Sequence, residues 1–188
     1  MRSEERLFCV MDTETTGTDP LGGDRIVEVA IVPVYKNKIL YKSIYNSLVN
    51  PKIRIPAIVE RVHRISNEDI ESAPTIDEVF EKIRYFMKNS IMVFHRAEFD
   101  LTFIDISAKE IGVFPPTVNY LDTREISKEL FGETKTLSWL AQRYGLEKPK
   151  HRALDDALVT AKIFIKMCRQ LSEAQLAELL HTWRGKEW

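Results

Sequence analysis

Cysteine is scarce in this chain. Cys9 and Cys168 are the only two in 188 residues; they stand far apart within apolar segments and match no metal-ligand spacing. That excludes a thiolate metal centre and leaves buried, reduced thiols as the expectation. Net charge is missing as well. With 27 basic against 28 acidic side chains the formal charge is −1, so the strongly basic character of proteins that hold nucleic acid by phosphate neutralisation alone is absent, and any such contact must be local. No apolar run approaches the roughly 20 residues needed to span a bilayer. The charged residues 1–6 lack the pattern of a secretory leader, so a cytoplasmic location away from membranes is expected. Repeats, low-complexity tracts and linkers are absent too. A hydrophobic content of 44% at this length supports one well-buried core and not two, so residues 1–188 are expected to form a single domain, with a core over about 7–171 and a helical tail over 172–188.

What is present is a pattern of strands followed by alternating strands and helices. The apolar run 7–11 leads into acidic and glycine-containing sequence and reads as a buried strand ending at a loop. The β-branched stretch 25–35 and the alternating stretch 38–49, separated by Lys36 and Asn37, read as a hairpin. Helical spacing over 75–87 follows an Ala73-Pro74-Thr75 start signal. A short strand is expected at 91–94, a helix over 99–111 closed by Gly112, and a further strand at 117–121. Helices are expected over 124–131, 136–144 and 152–171, and the tail adds a last one through about Trp183. Trp183 and Trp188 are expected to pack on the domain. The predicted architecture is α/β: a central mixed five-stranded sheet flanked by helices.

Chemistry-bearing residues fall in three clusters. The first strand ends in Asp12-Thr13-Glu14-Thr15-Thr16-Gly17, and the two-residue period sends Asp12 and Glu14 to one side of it. A chain of this length contains Asp-x-Glu by chance about 0.7 times, so the pair gains its meaning from its place at a strand end beside a turn. Oxygen-only sites of this kind suit Mg²⁺ or Mn²⁺. The second cluster, His95-Arg96-Ala97-Glu98-Phe99-Asp100, follows the apolar run 91–94 and places Asp100 in the opening turn of a helix. The third, from Lys150 to Ala157, opens the long helix. His151 lies five residues ahead of Asp156 there, which puts an imidazole on an entry loop within reach of a site whose metal a helical acid would hold. Asp156 has Ala153, Thr160 and Ile163 at helical offsets and is expected to face the sheet, with Asp155 turned outward.

These three clusters, in this order, resemble the motifs of the DEDDh exonucleases, the family that includes the proofreading epsilon subunit of bacterial DNA polymerase III. The likeness covers about 7–171. Between the motifs, Val62-His63-Arg64-Ile65-Ser66 followed by Pro74 resembles the family's substrate-side loop, and Leu121-Asp122-Thr123 its fifth-strand end. One departure stands out: the family commonly has asparagine where this chain has Arg96.

The resemblance implies a ribonuclease H-like fold, three antiparallel strands followed by parallel ones, with metal-binding acids at Asp12, Glu14, Asp100 and Asp156 and a general base at His151. It implies 3′-to-5′ hydrolysis of single-stranded DNA ends with two Mg²⁺ or Mn²⁺ ions, in proofreading or end trimming, alone or with a DNA polymerase catalytic subunit. An imidazole titrates near neutrality and can accept a proton from water. For substrate grip, Thr15 and Thr16 would hold the terminal nucleotide, Phe99 would offer a face for a base and His63 a hydrogen bond, while Arg61, Arg64, Arg96, Lys148, Lys150 and Arg152 would guide phosphates. Trimming of RNA 3′ ends and a non-catalytic, polymerase-associated module are the readings left open beside it.

Overall fold

The computed structural model describes residues 6–185, so Trp188 lies outside the described residues. Its centre is one mixed sheet. β1 (Leu7–Thr15) and β2 (Ile26–Tyr35) are antiparallel, β3 (Lys38–Ile39) and β4 (Tyr45–Leu48) both pair with β2, and β5 (Ile91–Phe94) and β6 (Val118–Asp122) follow β1 in parallel. β7 (His181–Trp183) closes the far edge antiparallel to β6.

Seven strands therefore stand where five are expected, for two local reasons. The Lys36-Asn37 turn is as read, with φ of 50° and 56°, the left-handed pair a tight hairpin requires. The outer strand then breaks. Pro33 accepts a hydrogen bond from Leu40 N–H but has no N–H to return to that side, so the ladder fails there and a 3-10 turn, Tyr41–Ser43, separates β3 from β4. In the tail, the helix stops at Glu178 and the chain becomes β7. The edge of β6 offers unpaired backbone groups, and satisfying them outweighs helical propensity in residues 181–183. Trp183 anchors the strand by donating its indole N–H to Asp105 at 2.9 Å.

Helices cover both faces. α1 (Ala57–His63) lies where no element is expected from the sequence, and its last two residues, Val62 and His63, open the segment read as a substrate-side loop. α2 (Ile76–Asn89) opens at Thr75, whose N–H is accepted by Glu78 at 2.7 Å, a capping box. α3 (Ala97–Glu110) joins α2 on one side, where Phe80, Ile83, Phe103 and Ile104 pack against Cys9, Met11, Val29 and Ile31. α4 (Thr123–Phe131), α5 (Leu137–Arg143) and α6 (Ala153–Cys168) form the other layer, with Ile163 and Phe164 against Phe8, Val10, Ala30 and Val32. α7 (Glu173–Glu178) packs Leu176 into the same layer.

Odd positions of β1 thus face α2 and α3, and even positions face α6. Both cysteines are free, and burial pushes their thiols up to about 11 for Cys9 and about 12 for Cys168. Among the described residues no helix is long and apolar enough to cross a membrane.

Candidate active site

β1 outruns its parallel neighbour. Phe8, Cys9 and Val10 pair with β5, whereas Met11 to Thr15 continue against β2 alone. This overhang lies beyond the carboxyl ends of the parallel strands, the place where α/β sheets bind ligands. Asp12 and Glu14 continue the even face of β1 along it and meet Asp156 from the first turn of α6. Asp12, Glu14 and Asp156 each bring a carboxylate oxygen within 4.8 Å of the others. Asp156 is 6% exposed while Asp155 is only half-buried, the orientation expected from its helical neighbours.

Asp100 arrives from the opposite layer. It is buried in the first turn of α3 and accepts a hydrogen bond from the Thr13 hydroxyl at 2.7 Å, so the odd face of β1 ties it to the strand that carries Asp12. It stands beside the three-acid group, close enough to perturb it, but is not one of its members.

Electrostatics mark the cluster as short of positive charge. Burial, then repulsion from Asp100, Glu14, Asp156 and Glu28, holds the Asp12 carboxyl well above the usual carboxylate range. Glu14 is pushed up to about 8 by burial and by Asp156, Glu28 and Asp100. Burial raises Asp100 to about 7 against the help of the Thr13 hydroxyl. Burial also raises Asp156, although Lys150 N–H donates to it at 2.8 Å. A cation among these converging carboxylates would relieve their repulsion, and oxygen donors of this kind match a hard divalent ion.

The sign of this frustration yields a stability prediction. These carboxyls hold their protons more tightly folded than unfolded. The stability they contribute is therefore fully present below about 4 and is lost as pH rises through about 7 for Asp100 and about 8 for Glu14. In chelator, Glu14→Gln is expected to melt with wild type near pH ~4 and roughly 2–6 °C above it near pH ~9. Thermal denaturation at the two pH values measures this, and a variant less stable than wild type near pH ~9 contradicts it.

His151 sits at φ 55° in the bend before α6, exposed, and its charge acts favourably on Asp156. His63 is buried. Its Nδ1 accepts Ile65 N–H at 3.0 Å, which leaves the ring proton on Nε2, and Nε2 has no hydrogen-bond partner. Burial chiefly keeps this imidazole neutral. Thr15 and Thr16 are buried with their hydroxyls committed: Thr15 donates to the Gly17 carbonyl at 2.5 Å, and Thr16 donates to Asp24 at 2.9 Å. Phe99 is half-buried against Phe103, ring centroids 5.0 Å apart. It lines a groove of about 290 Å³ with Thr18, Leu21, Arg96, Thr102 and Phe103.

Arg96 has φ 80° and places its guanidinium 5.7 Å from the Phe99 ring centroid. Asparagine tolerates that left-handed backbone far better than arginine does. Arg61, Arg64, Lys148 and Lys150 are exposed; Arg152, by contrast, is not free to guide phosphates, because it is paired with Glu28.

Two further residues organise the site: Asp122, named from the sequence only as part of a strand end, and Glu28, not singled out there. Asp122 accepts the N–H groups of Arg96 at 3.1 Å, Ala97 at 2.8 Å and Arg124 at 2.8 Å, so one carboxylate secures the start of α3, and with it Asp100. Glu28, 1% exposed, takes both Arg152 and the first N–H of α6. Its signal was a lone acid in the otherwise apolar β2.

Known proteins resemble this chain in sequence and fold. A family model described as Exonuclease (RNase_T) matches residues 9–164. The DNA polymerase III PolC-type protein of Caldanaerobacter subterraneus subsp. tengcongensis is 36% identical over 174 residues, 91% of this chain and 12% of that protein. A DNA polymerase III subunit epsilon-like protein of Rhodobacter capsulatus is 37% identical over 166 residues, 85% of this chain and 23% of that one. The chain thus spans only a fraction of the length of these relatives. Among solved structures, Exonuclease X in complex with 5′ overhanging duplex DNA is 25% identical with a TM-score of 0.70, covering 92% of this chain and 98% of that one. The fold is also that of the nuclease domain of 3′hExo, a DEDDh family member bound to rAMP, at 17% identity and a TM-score of 0.81, covering 99% of this chain and 100% of that one. With the family model matching most of its length, the chain belongs to the exonuclease family that this model describes.

Proposed function

We propose that this domain removes nucleotides one at a time from the 3′ end of single-stranded DNA, using two Mg²⁺ or Mn²⁺ ions, as a proofreading or end-trimming activity beside a DNA polymerase. The observation that carries the reading is the convergence of Asp12, Glu14 and Asp156 within 4.8 Å, with Asp100 next to them and His151 at the rim. Asp12, Glu14 and Asp156 would hold one ion, and Asp12 with the indirect help of Asp100 the other. Bound there, such ions acidify water and neutralise charge on the phosphoryl and leaving oxygens.

The chain's own groups supply the rest. His151, exposed at the entry to α6, takes the proton of the attacking water as its oxygen bonds to phosphorus and the bond to the 3′ oxygen breaks, and that oxygen takes a proton from solvent. A nucleoside 5′-monophosphate leaves, and the shortened strand ends in a new 3′-hydroxyl. Phe99 and the groove beside it offer an apolar face to a base, which tolerates any sequence. His63, buried beside the Thr15 backbone, would turn its Nε2–H to an oxygen of the terminal nucleotide. The names of the relatives, those of DNA polymerase III proteins, support the reading of polymerase association. The intact set of acids and histidine argues against a purely structural module.

The test is a time course on end-labelled single-stranded DNA and RNA of matched sequence, with Mg²⁺, Mn²⁺ or chelator. Stepwise shortening from the 3′ end of DNA, faster than of RNA and abolished by chelator, is expected. Shortening from the 5′ end, or activity that survives chelation, overturns the reading, and faster release from RNA moves the substrate to RNA ends.

A further inference from the structure

β2 is apolar from end to end except for Glu28, and the strand is buried on both faces. A carboxylate taken out of water there costs several kcal/mol unless it is paired, and this one stands across the ladder from Glu14, where it adds to the repulsion on Glu14 and Asp12. Something must hold it there. Glu28 Oε2 accepts from Arg152 Nε and from Ala153 N–H, both at 3.0 Å, and Oε1 accepts from Arg152 Nη2 at 3.0 Å. Both oxygens are engaged, so Glu28 is not available as a further cation ligand.

The partners of Glu28 are the informative part. Arg152 is the residue after His151 and the one before α6, and Ala153 is the first residue of that helix. The fork between guanidinium and carboxylate fixes a plane as well as a distance. It grips the chain next to a histidine held at φ 55°, a conformation that persists only where its surroundings enforce it. Four residues further on, the same helix presents Asp156.

We propose that Glu28 and Arg152 form a positioning clamp, which locks the His151 turn and the start of α6 against the acid-bearing strands so that imidazole and carboxylates keep one geometry. The proposal rests on the reading of His151 as the base. Neither member touches the reacting atoms; both act through His151. The pair also adds no net charge, which lets the clamp sit beside a cation site without weakening it.

The clean variant is therefore Glu28→Gln with Arg152→Met, which leaves the local charge sum unchanged. Its kcat is expected to fall about 10- to 100-fold, the scale of a small misplacement of a catalytic group. KM and Mn²⁺ affinity by titration calorimetry should stay within about threefold. The His151 imidazole resonances, sharp in the wild type, should broaden or split. In a His151→Ala background the same pair should cost less than about threefold more, because a clamp without its histidine has nothing to position.

Arg152→Lys, which keeps the charge and loses the fork, should give an intermediate loss with the fold intact, and decides the matter if the double variant does not fold. Losses that multiply with His151→Ala, an unchanged kcat in a folded variant, or a fall explained by weaker Mn²⁺ binding each overturn the clamp. If the wild-type chain degrades no strand offered, the functional reading falls, and the imidazole spectrum still decides on the clamp.

Discussion

Asp156→Asn is expected to abolish metal-dependent release of mononucleotides while leaving the fold intact. The amide oxygen of asparagine can still accept the Lys150 N–H that Asp156 now takes at 2.8 Å, so the entry to α6 keeps its shape. What disappears is one negative charge of three that converge. Cation stabilisation of the transition state amounts to several kcal/mol, so the loss should reach about 10³-fold or more. Asp12→Ala should do the same from the strand side. Without metal, the asparagine variant should melt no lower than wild type, since burial and like charge already hold Asp156 above its ordinary range. A time course with end-labelled DNA beside a melting curve decides it, and undiminished release by either purified variant removes these acids from the mechanism.

His151→Ala is expected to lower turnover by about 10²- to 10⁴-fold, the usual contribution of a positioned general base, with Mn²⁺ binding retained. The side chain is exposed and no hydrogen bond of the core depends on it, so the loss should be one of rate. Its φ of 55° adds a refinement: alanine is strained there, whereas asparagine is tolerated. His151→Asn should therefore lose as much rate while melting higher than His151→Ala. Single-turnover rates at saturating Mn²⁺ measure the effect, and a wild-type rate from either variant would take the histidine out of the chemistry.

The elements that carry the acids were legible because each is announced locally. Asp12 and Glu14 follow an apolar run with a two-residue period, Asp100 sits in the opening turn of a helix that Gly112 closes, and Asp156 has apolar neighbours at helical offsets. Such signals need only a few consecutive residues. Features that depend on distant partners were not legible. Glu28 carries no assigned role until Arg152, 124 residues away, is seen to pair with it. β7 forms because the edge of β6 is free, which residues 181–183 do not encode. The broken outer strand was within reach, since Pro33 stands in plain view, but its consequence falls on the neighbouring chain segment. The hydroxyls of Thr15 and Thr16 look free in the sequence and prove to be committed to Gly17 and Asp24.

The Pro33 break also bears on how the sheet meets other molecules. An uninterrupted outer strand would present a long row of unpaired backbone groups, the template on which proteins polymerise edge to edge. Here that margin is divided into two- and four-residue pieces separated by a 3-10 turn, and the opposite margin ends on three residues. With exposed Lys36 before the shortest piece and exposed Lys38 within it, the fold carries its own guard against fibrillar growth, even where crowding brings many copies together.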